Sequence, residues 1–258
     1  MRMEIRKRKR LRQTARVVFC AVQLAVTLLG FHVLGLIFEP LVQTEAANVH
    51  YASGIWTGVS EDNGKPVVCI DAGHGGRDNG SSSGQRMEKD DNLKMAQAVA
   101  EYLATQGADV VMTRTGDTYL ELSERCEIAN GRQVDYFVSL HRNAGNGTGV
   151  EIWVYSGVGE KTSELAENIL TELDTAGIQR NRGVREVTQG GGGDNYFVNT
   201  HTEMPSCIVE MGFIGNARDN ELFDEKLRDY AAAIGDGILE TYDKYKDAPR
   251  LTYISSKK

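Results

Sequence analysis

The chain has 258 residues, 41% hydrophobic and 25% charged, with a formal net charge of −7. That is enough apolar material for one sizeable folded domain, and it excludes a disordered or fibrous chain. The charge is uneven: residues 1–16 hold eight Lys or Arg against one Glu, and the remainder holds 21 basic against 35 acidic residues. An acidic main body argues against nucleic acid as a partner.

The basic start leads into Val17 to Phe38, 22 residues without a charge, interrupted only by Gln23, Thr27 and His32. At about 1.5 Å rise per residue this crosses a hydrocarbon core of roughly 30 Å. The expectation is a transmembrane anchor over 17–38. The basic segment 1–16 stays cytoplasmic, and the C-terminal body is held outside at the cell membrane. A cleaved signal peptide, and hence secretion, is the competing reading, although its apolar region is usually shorter. Residues 39–65 carry Pro40, Gly54, Gly58 and Gly64 without clear periodicity and read as a linker.

From Pro66 strands and helices alternate. Val67 to Ile70 is a continuous apolar run, as in a central strand covered on both faces. Asp71 ends it, and Gly73, Gly75 and Gly76 turn the backbone around His74. Asp90 to Gln106 reads as a helix capped by Asp90 or Asp91 and stopped at Gly107. Ala108 to Thr113 is a strand. Thr118 to Asn130 is a helix with a Thr118-x-x-Glu121 capping pattern. Tyr136 to Leu140 is a strand ending at His141, and Gly149 to Tyr155 another. Glu160 to Ala176 is a helix stopped at Gly177. Arg180 to Gly193 is polar and glycine-rich, so it reads as a surface loop. Asn195 to Asn199 and Ser206 to Glu210 read as short strands. Asp219 to Lys246 is mostly helix, weakened by Gly235 and Gly237. The alternation implies a three-layer αβα sandwich around a largely parallel sheet, over 66–246, with a tail at 247–258.

Four cysteines (Cys20, Cys69, Cys126 and Cys207) include no CxxC pair, and three of them lie beyond the apolar run. This is no disulfide framework. A Cys69–Cys207 bond is the one pairing to check.

Three strands end near His74, His141 and Glu210. In a parallel sheet the carboxyl ends share one edge, so these residues can form one site. Glu88 follows His74 just before the first helix. Two imidazoles and one carboxylate leave an open position on Zn²⁺, as catalytic zinc sites require. A further carboxylate that is not a ligand would act as base. Glu210 lies in an apolar strand, where burying an unpaired carboxylate is costly. Glu151, Arg114 and Arg125 read as structural, the arginines fixing loops. His201 reads as a surface residue.

The same stretches carry a resemblance. Ile70-Asp71-Ala72-Gly73-His74-Gly75-Gly76, Glu88 to Leu93, Thr113-Arg114 with Asp117, Leu122-x-x-Arg125-x-x-x-Ala129-Asn130, Ser139 to Ala144, Gly149-Val150-Glu151 and Pro205 to Asn216 resemble, in order, the zinc-dependent N-acetylmuramoyl-L-alanine amidases of the Amidase_3 type. The resemblance implies that His74, Glu88 and His141 bind one zinc ion. It implies that Glu210 is the catalytic carboxylate and that peptidoglycan is the substrate. A peptidoglycan-binding protein that no longer cuts, or a zinc peptidase acting on stem peptides, would share much of this pattern. The sequence names no activating protein partner. Arg142 stands where a small residue is expected and Gly215 where Ser is common; both are expected at the edge of the site.

Overall fold

In the computed structural model the described residues are 49–51, 64–188 and 196–247. The stretch 17–38 expected to cross a membrane lies outside them. Among the described residues no helix is long and apolar enough to cross a membrane.

The strands are β1 (Val49–Tyr51), β2 (Val67–Ala72), β3 (Ser82–Ser83), β4 (Arg86–Met87), β5 (Asp109–Met112), β6 (Tyr136–Asn143), β7 (Val150–Tyr155), β8 (Asn181–Val187) and β9 (Ser206–Phe213). The helices are α1 (Glu88–Thr105), α2 (Leu122–Gly131), α3 (Glu160–Ala176), α4 (Phe197–His201), α5 (Ala217–Glu225) and α6 (Leu227–Tyr245). Seven strands form one sheet in the order β1-β5-β2-β6-β9-β7-β8. Every neighbouring pair is parallel except β9 with β7. β3 and β4 form a separate small hairpin.

The period of two along each strand sorts side chains onto two faces. Val68, Ile70, Tyr136, Val138, Leu140, Cys207 and Val209 pack in one core with α1, α3 and α6. Cys69, Phe137 and Ile208 pack in a second core with Cys126 and Ala129 of α2 and Val198 of α4. The expected αβα layering therefore holds. Cys69, Cys126 and Cys207 are free thiols, and Cys69 and Cys207 belong to opposite cores, so the pairing considered for them is absent.

Several local expectations change. Residues 49–51, expected in the linker 39–65, pair with β5 as the edge strand β1. Residues 181–187, expected in a loop, form the edge strand β8. An edge strand needs backbone pairing on one side only, so it does not need an apolar run; Val184 alone faces the larger core. A strand is expected over 195–199; instead Phe197–His201 form the short helix α4, which tucks Val198 into the smaller core. Helix α2 starts one turn late, with Glu121 as cap and Glu124 reaching back to the Glu121 N–H. The residues before it are used elsewhere: Asp117 accepts the Gly76 N–H at 2.7 Å. The last helix breaks at Lys226, which donates to Ala176 O at 2.9 Å and so caps α3.

Helix α1 begins at Glu88 rather than Asp90 and has no side-chain cap. Its acidic residues are occupied elsewhere: Asp91 by Arg86 and Arg142, and Glu88 by the groups described next.

Candidate metal centre

Strands β2, β6 and β9 are adjacent and parallel, so His74, His141 and Glu210 come to one edge of the sheet, as expected. Strands β6 and β9 run two or three residues beyond His141 and Glu210, so both sit inside strands.

The turn after β2 is held from beneath. Asp71 is buried and accepts from Thr113 Oγ1 at 2.6 Å, Ser139 Oγ at 2.6 Å and Arg125 Nη1 at 2.8 Å. Arg125 also donates to Ala72 O and His74 O. Arg114 donates to Ala72 O, Gly73 O and Lys89 O. The two arginines fix the loop through its carbonyls. The result is a strained ring carrier: His74 has φ of 60°, uncommon for a side-chain-bearing residue and of order 1–3 kcal/mol in cost.

Among the described residues, His74, Glu88 and His141 form a group whose ligating atoms all lie within 4.8 Å of one another. His74 Nε2 is 3.1 Å and His141 Nδ1 is 3.0 Å from Glu88 Oε1. A tetrahedral ion with bonds of about 2.0 Å has ligands about 3.3 Å apart. The donor set and its spacing fit a small divalent cation. The surrounding contacts agree. His74 Nδ1 meets Asp78 Oδ2 at 2.7 Å, which turns Nε2 toward Glu88. Glu88 accepts the Ser81 N–H at 2.7 Å and the Arg142 N–H at 3.1 Å, and Asn92 Nδ2 at 3.4 Å. A Cβ at Gly80 would stand 2.6 Å from both Glu88 Oε2 and His74 Cδ2; at Gly73, 2.3 Å from the His141 ring. Only hydrogen at these two positions lets the ligands close.

The electrostatics favour positive charge here. Burial pushes the His74 ring down, but the Glu88 and Asp78 carboxylates outweigh it and raise it to about 9. Burial pushes Glu88 up, yet hydrogen bonds and charge from His141 and His74 hold it well below the usual carboxylate range.

Glu210 and Glu151 lie opposite each other on β9 and β7, and Glu210 lies opposite His141 on β6. The two carboxylates differ sharply. Glu151 accepts from Asn143 Nδ2 at 2.7 Å, Trp153 Nε1 at 3.2 Å and Arg182 Nε at 2.6 Å. Burial raises it, and those partners, Arg182 foremost, more than reverse the rise. Glu210 Oε2 is buried with no hydrogen-bond partner. Burial raises Glu210 to about 7, with the His141 ring opposing and Glu88 and Glu151 adding.

Sequence reasoning missed Asp78 and Asn92, which orient His74 and Glu88. Asp78 has a legible signal, since metal-binding histidines commonly give their second nitrogen to a carboxylate. Arg142 is a correction: its guanidinium is buried on the far side of β6, and only its backbone N–H meets the site. Gly215 packs on Gly145 and Asn146 rather than on the ligands. His201 is exposed and stacks on Phe197, with ring centroids 3.6 Å apart, outside the site.

Comparison with known proteins finds related amidases in both sequence and fold. The CwlM N-acetylmuramoyl-L-alanine amidase of Bacillus licheniformis is 32% identical over 188 residues, covering 71% of this chain and 72% of that protein. The catalytic domain of the amidase CwlV from Bacillus (Paenibacillus) polymyxa var. colistinus superposes with a TM-score of 0.61 at 34% identity, covering 69% of this chain and 98% of that one. The CwlD amidase of Clostridioides difficile, solved in complex with the GerS lipoprotein, has a TM-score of 0.63 at 26% identity, over 70% of this chain and 100% of that one. Residues 68–240 match the Amidase_3 family, described as N-acetylmuramoyl-L-alanine amidase, and the chain belongs to that family.

Proposed function

We propose that this protein is a zinc-dependent hydrolase that cleaves the amide between N-acetylmuramic acid and L-alanine in peptidoglycan. His74, Glu88 and His141 hold the zinc, and Glu210 is the catalytic carboxylate. The observation that carries this is the contrast between the two opposed glutamates: Glu151 is saturated by donors, while Glu210 Oε2 has none and is raised to about 7. Environments that push two neighbouring carboxylates apart separate a structural role from a proton-transfer role.

A zinc ion at this site supplies Lewis acidity, acidifying water and polarising the scissile carbonyl. Glu210 takes the proton of the attacking water on its carboxylate and delivers it to the leaving amide nitrogen. Glu151 stays ionised against Arg182 and keeps Asn143 in place. Asp78 holds the His74 ring, and Arg114 and Arg125 hold the backbone that carries it.

The reading extends to location. Residues 17–38 anchor the chain in the cell membrane, 1–16 remain in the cytoplasm, and the stretch from 39 up to β1 spaces the catalytic domain from the bilayer toward the wall, with 247–258 as a tail; the linker expected over 39–65 is shortened because Val49–Tyr51 belongs to the sheet. The support is the uncharged 22-residue run behind a basic cluster. Secretion after signal cleavage is the alternative, and resistance of the membrane-bound chain to carbonate extraction separates the two.

The test is digestion of purified peptidoglycan by the full chain in mild detergent, with and without zinc. Free stem peptides with new N-terminal alanine, lost with chelator and regained with zinc, are expected. Cuts within the stem peptide would mean a peptidase. Bound zinc without cleavage would mean a binding protein, or an enzyme needing a protein partner of the kind seen with CwlD.

A further inference from the structure

Directly behind the candidate metal centre, on the α1 side of the sheet, lies an ionic cluster buried at Arg142 and Asp91 and open to solvent at Asp224. Arg142 follows His141 in β6, and its side chain is 0% exposed. Its Nη1 donates to Asp91 Oδ2 at 2.5 Å, Nη2 to Asn220 Oδ1 at 2.5 Å, and Nε to Gly212 O at 3.3 Å. The guanidinium lies 4.5 Å from the centre of the Phe223 ring. Arg86 approaches the same Asp91 oxygen at 2.6 Å and holds Asp224 through both terminal nitrogens at 2.8 and 2.9 Å.

Each partner stands close in sequence to a residue of the site. Arg86 and Asp91 flank Glu88 by two and three residues, Arg142 adjoins His141, and Gly212 is two residues from Glu210. One rigid planar fork therefore ties α1, β6, β9 and α5 together where Glu88, His141 and Glu210 must keep their mutual spacing. The Arg142 backbone N–H makes the link direct, on Glu88 Oε1 at 3.1 Å. Stability alone does not call for this arrangement, because well-packed apolar residues often replace a buried ion pair at no loss. A planar guanidinium with three separate acceptors does what apolar packing cannot: it fixes distance and angle.

We infer that Arg142 is a positioning residue that sets the spacing of Glu88 and His141, and through it the zinc affinity of the site. This rests on the cation reading above.

Zinc affinity of the full chain in mild detergent, read by competition with a chromophoric chelator, tests it beside the thermal midpoint of the zinc-free protein. Arg142→Met should weaken zinc binding about 10–100-fold, the usual effect of losing an outer-shell support. The pair Arg142→Met with Asp91→Leu should regain the thermal midpoint but not the affinity. Arg142→Lys, which keeps the charge and loses the fork, should fall between wild type and Arg142→Met. If Arg142→Met does not fold, the other two variants decide. Folded variants that bind zinc within about twofold of wild type would overturn the inference alone. A wild-type chain that takes up no zinc would remove the site and the inference together.

Discussion

His141 and Glu210 stand side by side on neighbouring parallel strands, and their side chains share one face of the sheet. One ring meets the Glu88 carboxylate at 3.0 Å, while the other residue keeps a buried oxygen with no donor. Two groups with opposite needs are thus held at fixed separation by the sheet itself.

Glu210→Gln should reduce turnover on peptidoglycan by at least 10²–10⁴-fold, the usual contribution of a positioned acid–base group. Zinc content should be unchanged. The thermal midpoint should not fall, because the carboxylate oxygen being replaced has no partner to lose. Near-normal turnover would end the assignment.

Asp78→Ala should weaken zinc binding about 10–100-fold, since the 2.7 Å contact fixes which His74 nitrogen faces Glu88. Chelator competition measures it, and an unchanged affinity would show that the turn alone orients the ring.

Gly80→Ala meets two obstacles. The φ of +61° costs a residue with a side chain about 1–2 kcal/mol. The added methyl would also stand 2.6 Å from Glu88 Oε2 and His74 Cδ2. Zinc uptake should fail even where calorimetry still shows a cooperative transition.

Asp71 gives a pH dependence with a definite sign. Burial pushes its carboxyl up, but the Arg125 charge and the hydrogen bonds from Ser139, Thr113 and Arg125 outweigh it and hold it low. A depressed folded-state value contributes stability that is present above the unfolded pKa of about 3.9 and lost as pH falls through the folded one. Asp71→Asn should cost about 3–5 kcal/mol at pH 7, because Arg125 is left buried without its counter-charge. Urea titrations at pH 7 and pH 3 should show the gap between the two proteins narrowing in acid.

Gly237→Ala reads as stabilising on helix propensity, by about 1 kcal/mol. The structure reverses the sign. The new Cβ would stand 2.5 Å from Ile169 Cα, a backbone atom of α3 that cannot swing aside. Overpacking costs about 1–3 kcal/mol, so the thermal midpoint should fall. Gly235 is under the same constraint from the Tyr102 ring, 2.4 Å from its would-be Cβ. Both glycines weaken α6 as a helix and permit it as a neighbour.

The sequence by itself determined the alternation of strands and helices, because period-two and period-3.6 apolar patterns are local. It also named His74, Glu88, His141 and Glu210 as the candidate site, because they stand at strand ends and in stretches that resemble one amidase family. Other features waited on the fold. The edge strand 181–187 has no apolar run, since only its backbone is satisfied by β7. The helix at 197–201 is set by which residues meet the smaller core. The break at Lys226 falls where its ammonium reaches the Ala176 carbonyl at the end of α3. Arg142 reads as a site-edge residue until the parity of β6 sends its side chain to the opposite face. Local pattern names the residues that must be buried or reactive; only tertiary packing decides which distant backbone or charge each one meets.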